Sequence, residues 1–330
     1  NFGPRLSLSC MRRIQQIGAH ISLSLFVGRA AGASISRSQL RGAVVGLPRS
    51  MASVTSATVK LNDGFAIPVV GLGVYRTPPG PTAYNAVAAA LRAGYRHVDS
   101  AALYGNEGDV GKAVQDSGIP REEVFITSKL WVMDCKGDGY RYATEQTEKS
   151  LQRLGTYADL YLMHSPHHPS QRLEMWRALE DLKKAGKIRS IGVSNYGVQH
   201  IEELIKCPRL SIVPAVNQVE IHPFLLREEI SQYCASKGIL IEAYSPLAKA
   251  EKMNDRTLLQ IGKQYGKSTA QVMIRWSIQK GYITLPKSEN PERIHQNSLV
   301  FDFELSPADM KTLNSLDIHM TTGWDPTTMK

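Results

Sequence analysis

Cysteine is scarce in this chain of 330 residues: Cys10, Cys135, Cys207 and Cys234 are too few and too scattered for a disulfide framework or a C-x-x-C metal site. They read as reduced thiols in a reducing compartment. Also lacking is any run of about 18 apolar residues without charge, so a membrane-spanning helix gets no support. Acid is missing from residues 1–62, which hold eight of the 39 basic residues and leave 31 bases against 30 acids in the rest. The formal charge of +9 therefore belongs to one end of the chain, and the remainder is close to neutral. A nucleic-acid partner is not expected, because such binding needs an electrostatic surplus on the domain itself.

Residues 1–50 are rich in Arg, Ser, Ala and Gly with short apolar patches, a composition resembling a mitochondrial transit peptide after Met11. A second reading stands beside it: Met51-Ala52-Ser53 would make a good initiator, and the preceding stretch would then be upstream, non-native sequence. On either reading residues 1–50 are excluded from the fold and expected to be disordered. A cytoplasmic location is expected, or a mitochondrial one if the transit reading holds. Residues 51–330 suffice for one barrel domain of roughly 250 residues plus insertions, so no second domain is required.

What is present is a repeat of strand then helix, which argues for a parallel sheet with crossover helices. Strands are expected at Val69 to Gly73, ahead of Asp99, at Val124 to Lys129, Leu160 to His164, Ile188 to Val193, Ala215 to Val219, Leu240 to Tyr244 and Tyr282 to Leu285. Helices are expected at Ala83 to Arg92, Tyr142 to Leu154, Leu173 to Ala185, Val198 to Ile205, Arg227 to Ser236 and Thr269 to Gln279. Eight such units read most simply as an α/β fold, a closed (β/α)8 TIM barrel. Before the first unit, Thr58 to Leu61 and Phe65 to Val69 flank Asn62-Asp63-Gly64, a hairpin signal because Gly and Asn accept positive φ. This N-terminal β-hairpin is expected to close the barrel bottom.

Three of the strands finish in titratable residues. Asp99 ends one, with Tyr104 five residues on; Lys129 ends the next, and His164 the one after. Each has an ordinary explanation alone: Asp as a turn or cap, Tyr as packing, Lys as a snorkelling surface residue, His as a satisfied interior group. Together they are harder to dismiss. The C-terminal ends of neighbouring parallel strands share one rim, and a lysine buried there needs a carboxylate beside it.

The run Gly94-Tyr95-Arg96 to Asp99 and Tyr104-Gly105-Asn106-Glu107 resembles the aldo-keto reductase signature G-x-R-x-x-D-[ST]-A-x-x-Y-x-N-E. Ser128-Lys129-Leu130-Trp131, Leu162-Met163-His164-Ser165-Pro166, Ile191-Gly192-Val193-Ser194-Asn195 and Leu285-Pro286-Lys287-Ser288 follow in the family's order. The resemblance runs from about Val59 to Trp324 and is nearest in appearance to fungal reductases of aldoses and other small aldehydes.

The resemblance implies a nicotinamide cofactor. Ser194, Asn195 and Gln218 would hold its carboxamide, Tyr244 would stack on the ring, and Ser245 and Leu247 belong to the same strip. Lys287 and Ser288, with Arg293, Gln296 and Asn297 at helical spacing, offer cations and a hydroxyl suited to a 2′-phosphate, which favours NADPH over NADH. An ordinary charged surface helix is the plain alternative for the last three.

The resemblance likewise implies chemistry: Tyr104 as proton donor to a small carbonyl substrate, Lys129 lowering the phenol pKa, Asp99 holding Lys129, and His164 orienting the carbonyl oxygen. Tyr75, Trp131 and Trp324 would wall the pocket. Because the tail after Thr321 is short, an open pocket tolerant of many aldehydes is expected, with xylose or arabinose among its candidates. His167-His168 lacks a third ligand at a recognisable spacing, so no metal is expected. A monomer is expected. The competing class is a cofactor-binding redox sensor or regulatory subunit with negligible turnover.

Overall fold

The computed structural model describes residues 53–329, and the extension expected to be disordered over residues 1–50 lies outside them. Two short antiparallel strands come first, β1 (Thr58–Lys60) and β2 (Ala66–Pro68), with Val59 opposite Ile67. Gly64 makes their turn possible: its φ of 98° is one that L side chains avoid. Leu61 and Ile67 pack with Phe125, Val216 and Ile283, the first residues of their barrel strands, and with Leu160 and Leu162. The hairpin thus plugs the barrel bottom, as the Asn-Asp-Gly turn predicts.

Eight parallel strands follow: β3 (Leu72–Gly73), β4 (His97–Asp99), β5 (Phe125–Leu130), β6 (Ala158–Met163), β7 (Ile188–Ser194), β8 (Val216–Glu220), β9 (Leu240–Tyr244) and β10 (Ile283–Leu285). Every neighbour in sequence is a neighbour in the sheet. The ring closes through a parallel bridge of Val70 with Thr284, and Gly71 N–H donates to the Thr284 carbonyl at 3.0 Å. Only glycine fits this seam, since a Cβ on Gly71 would fall 2.6 Å from His97 Nδ1 and 2.8 Å from Leu285 Cδ2. β3 is shorter than the Val69 to Gly73 strand expected because Val69 serves two partners. Its N–H goes to Ala57 and its carbonyl to the Thr284 N–H.

The helices are α1 (Pro81–Arg92), α2 (Glu107–Asp116), α3 (Gly139–Leu154), α4 (Arg172–Lys184), α5 (Val198–Lys206), α6 (Glu228–Ser236), α7 (Arg256–Tyr265) and α8 (Thr269–Gln279) between strands, then α9 (Pro291–Ser298) and α10 (Pro307–Asn314) after the last. Local chemistry sets their limits. Asp138 accepts from the Arg141 N–H at the start of α3, and Gly155 ends it in the left-handed conformation. Ser268 and Gln271 cap α8 reciprocally. α4 lays Met175, Trp176, Leu179 and Leu182 on the barrel, each large apolar side chain contributing on the order of 2 kcal/mol. α2, α7 and α10 are not among the expected helices. α10 buries Leu313 alone, too narrow an apolar stripe to read, and α2 is interrupted by Gly108 and Gly111, whereas α7 does carry an amphipathic stripe, with Leu258 and Ile261 inward. Among the described residues no helix is long and apolar enough to cross a membrane.

Candidate active site

Strand alternation delivers the chemistry. Along β5, Phe125 belongs to the barrel's inner cluster and Thr127 hydrogen-bonds His97, while Ile126 joins the outer core and Ser128 Oγ donates to Glu107 on α2 at 2.5 Å. Lys129 therefore turns inward. Its ammonium is fully buried and donates to both Asp99 oxygens, at 2.7 and 2.8 Å, and to the Ser100 carbonyl at 2.8 Å. The Tyr104 hydroxyl stands 3.4 Å from the same nitrogen.

Tyr104 is held by its neighbours in sequence. After Ala101 the chain makes a single 3-10 turn, Ala102–Tyr104, closed by Gly105 at φ 70°. Asn106 then locks the loop, accepting from Ser100 Oγ at 2.7 Å and donating to the Val74 and Thr77 carbonyls at 3.1 Å. Glu107 receives Arg153 besides Ser128. The Asn-Glu pair of the signature thus fixes the loop from behind.

The electrostatics of the phenol differ from the sequence expectation. Lys129 is expected to lower its pKa; instead burial first, then the negative charge of Asp99, hold it well above the ordinary tyrosine value. Asp99 neutralises the ammonium at contact distance, so little net positive charge reaches the phenol. Tyr104 is accordingly a protonated acid in the free protein.

His164 follows β6, with its N–H on the Leu130 carbonyl. Burial, reinforced by Lys129, drives its pKa well below that of free imidazole, so the ring is neutral. It meets Tyr104 edge to face at 5.7 Å and Trp131 at 5.3 Å. Tyr75 lies 5.0 Å from Tyr104 on the other side, and Trp324 approaches Trp131 at 6.3 Å. The three expected aromatic walls and the four strand-end residues form one cluster. Of the adjacent histidines, His167 stacks on Trp324 and His168 reaches the Met133 carbonyl.

The predicted carboxamide residues adjoin this cluster and are wired to it. Ser194 Oγ donates to the Gln218 carbonyl at 2.9 Å, Asn195 Nδ2 to the His164 carbonyl at 3.0 Å, and Tyr244 to Asn195 Oδ1 at 2.8 Å. Gln218 Nε2 donates to Asp99 Oδ2 at 2.8 Å and to Glu242 at 2.7 Å. Both amide hydrogens are committed, leaving its oxygen, an acceptor, for anything above. Ser245 and Leu247 are half-buried beside Tyr244, and Ser245 is forced to φ 47°.

Past β10, Lys287 pairs with Glu289 at 2.5 Å, and Ser288 Oγ receives the Asn290 N–H at 3.1 Å. Asn290 caps α9 through the Arg293 N–H. Arg293 and Gln296 are exposed on α9, whereas Asn297 is buried. These residues sit together at the end of β10, next to the Tyr244 loop because β10 pairs with β9.

Two residues inside the barrel escaped the sequence reading. Glu242 lies two before Tyr244 and so faces inward; its Oε1 is 3.5 Å from His97 Nε2, and both side chains are fully buried. The signal was available: a glutamate at an inward position of an apolar strand. The contacts of Arg227 with Asp325 and of His167 with Trp324 had no local signal at all.

The Aldo/keto reductase family model matches residues 70–318. Glyoxal reductase of Bacillus subtilis is 46% identical over 270 residues, covering 82% of this chain and 96% of that protein. Aldehyde reductase YPR1 of Saccharomyces cerevisiae is 42% identical over 298 residues, covering 81% and 93%. The crystal structure of MGS-M4, an aldo-keto reductase enzyme from a Medee basin deep-sea metagenome library, agrees with a TM-score of 0.78 at 42% identity, covering 83% of this chain and 99% of that one.

Proposed function

The chain belongs to the aldo/keto reductase family, and on that footing we propose that it reduces small aldehydes and ketones with NADPH, Tyr104 supplying the proton. The arrangement of Tyr104, Lys129 and Asp99 beside a neutral His164 carries this reading.

The donor set suits a nicotinamide dinucleotide. Gln218 has an oxygen to offer the carboxamide N–H, Tyr244 is a half-exposed aromatic face, and Lys287, Ser288 and Arg293 supply two cations and a hydroxyl for a 2′-phosphate. Ser194, Asn195, Gln218 and Tyr244 would hold the ring end, with Ser245 and Leu247 alongside; Lys287, Ser288, Arg293, Gln296 and Asn297 would hold the other. When bound, the reduced cofactor supplies hydride.

The protein's part is proton delivery and orientation. His164, being neutral, has an N–H to donate to a carbonyl oxygen, which would set that oxygen beside the Tyr104 hydroxyl. As negative charge grows on the oxygen, the phenol proton moves to it, and Lys129 steadies the phenolate left behind. Asp99 keeps the ammonium aimed and its charge balanced. Tyr75, Trp131 and Trp324 exclude water from one side of the site.

The mouth adds exposed Leu103 and Met133 to these aromatics, a surface that favours compact or apolar aldehydes. The two relatives named for glyoxal and aldehydes support the same class. Open-chain xylose and arabinose are the polar extreme of that class. The test is a steady-state screen of glyoxal, aromatic aldehydes and aldoses with NADPH and with NADH. Turnover expected is highest with compact aldehydes and NADPH. Tight NADPH binding without turnover on any carbonyl would replace this reading with the sensor one.

A further inference from the structure

Below Asp99, Lys129, Tyr104 and His164 the barrel axis is polar. Glu242, in the middle of β9, has no solvent contact. Its Oε2 shares Gln218 Nε2 with Asp99, at 2.7 and 2.8 Å, and its Oε1 lies 3.5 Å from His97 Nε2. The groups that face it are therefore Gln218 from β8, Asp99 and His97 from β4, and Lys129 from β5, with Tyr104 beyond them. β10 sets the apolar Ile283 in register with it.

Charge balance decides its state. The enclosed space holds one certain cation, Lys129, and two carboxyl groups. His97 adds none, since burial drives its pKa down to about 3. Lys129 gives both of its Asp99 hydrogen bonds to one partner, and Glu242 touches no cation. Were both carboxyls ionised, an uncompensated negative charge would be buried. Burial pushes both carboxyls up, but the two Lys129 hydrogen bonds pull Asp99 back toward its charged form, so Glu242 is the one that keeps its proton; burial first, then the charge of Asp99, pushes its pKa up to about 8.

A second positive charge in this space would remove the reason for that proton. Oxidised nicotinamide brings one, on the ring, and reduced nicotinamide does not. Gln218 is the side chain assigned above to the carboxamide, and Glu242 hydrogen-bonds it from below. We propose that Glu242 is a positioning residue whose proton is linked to the cofactor's charge: binding of the oxidised dinucleotide releases it to solvent, and binding of the reduced one leaves it in place. The step balances as carboxylic acid to carboxylate plus one proton taken by buffer, with the ring's positive charge as the new counter-ion. By linkage, the oxidised form binds more tightly as pH rises, and the reduced form does not.

This inference rests on the nicotinamide reading above. It is tested by calorimetric titration of the full chain with NADP+ and with NADPH, each in two buffers of different ionisation enthalpy. Any proton taken or lost by the 2′-phosphate is common to both ligands and cancels in the difference. Near pH 7, NADP+ should release more protons than NADPH, and its affinity relative to NADPH should rise about tenfold by pH 9. E242Q, which keeps the shape and an acceptor for Gln218 but has no acid proton, should abolish both differences. Equal proton release for the two ligands in the wild type overturns the proposal without any variant, and so does a difference that survives in E242Q. Failure of both dinucleotides to bind would instead remove the nicotinamide reading itself.

Discussion

Trp324 lies flat on His167, with ring centroids 5.2 Å apart and planes 15° from parallel. The tail that carries it is tied at several points. Thr322 N–H donates to Glu220 at 2.9 Å, Asp325 pairs with Arg227 at 2.8 Å, and His200 Nε2 meets the Met329 carbonyl at 2.8 Å. A short tail is expected to leave the pocket open; these ties fix its tryptophan, itself exposed, beside Trp131.

Trp324→Ala should therefore raise KM for an aromatic aldehyde about 3- to 10-fold, the worth of one aromatic contact. The KM for glyoxal should change less, and kcat for both should change little. Equal effects on both substrates would mean that Trp324 does not touch bound aldehyde.

Tyr104→Phe removes the acid while keeping the ring between Tyr75 and His164. Carbonyl reduction should fall roughly 10²- to 10⁴-fold, and NADPH binding, followed by quenching of tryptophan fluorescence, should persist. Unchanged turnover would sink the assignment of the proton donor.

At the far end of the strip, Lys287→Met and Arg293→Met should each weaken NADPH by about tenfold or more, since a charge-assisted hydrogen bond to phosphate is lost. NADH affinity should barely move. Parallel losses for both cofactors would show that these cations do not read the 2′-phosphate. Lys287 must also leave Glu289, so Glu289→Gln should change NADPH affinity and not NADH affinity.

Stability should carry two opposed pH trends. Glu242 gives up its proton near 4.5 in an unfolded chain and near 8 in the folded one, so its contribution is full below 4.5 and is lost as pH rises toward 8. His97 and His164 are held neutral below the ordinary 6.5, so unfolding takes up protons and stability falls as pH drops below that value. Thermal melts of E242Q against wild type should diverge progressively from pH 5 to pH 8, with E242Q gaining. A difference independent of pH would place the excess proton elsewhere.

Much of the architecture is legible in the sequence. The Asn62-Asp63-Gly64 turn announced the hairpin, and repeated apolar runs with intervening amphipathic stretches announced the barrel. Asp99, Lys129 and His164 were readable because parallel strands bring their C-terminal ends to one rim. α2 and α10 are not, because two glycines interrupt the first and the second buries Leu313 alone.

By itself the sequence determined what depends on near neighbours: turn chemistry at Gly64 and Gly105, the alternation that sends Lys129 inward and Ser128 outward, and the order of residues along each strand. Tertiary structure alone decided the charges. The protonated phenol of Tyr104, the neutral imidazole of His164 and the retained proton of Glu242 follow from desolvation and from facing groups on other strands. Those contributions sum over atoms far apart in the chain, so no local pattern could carry them.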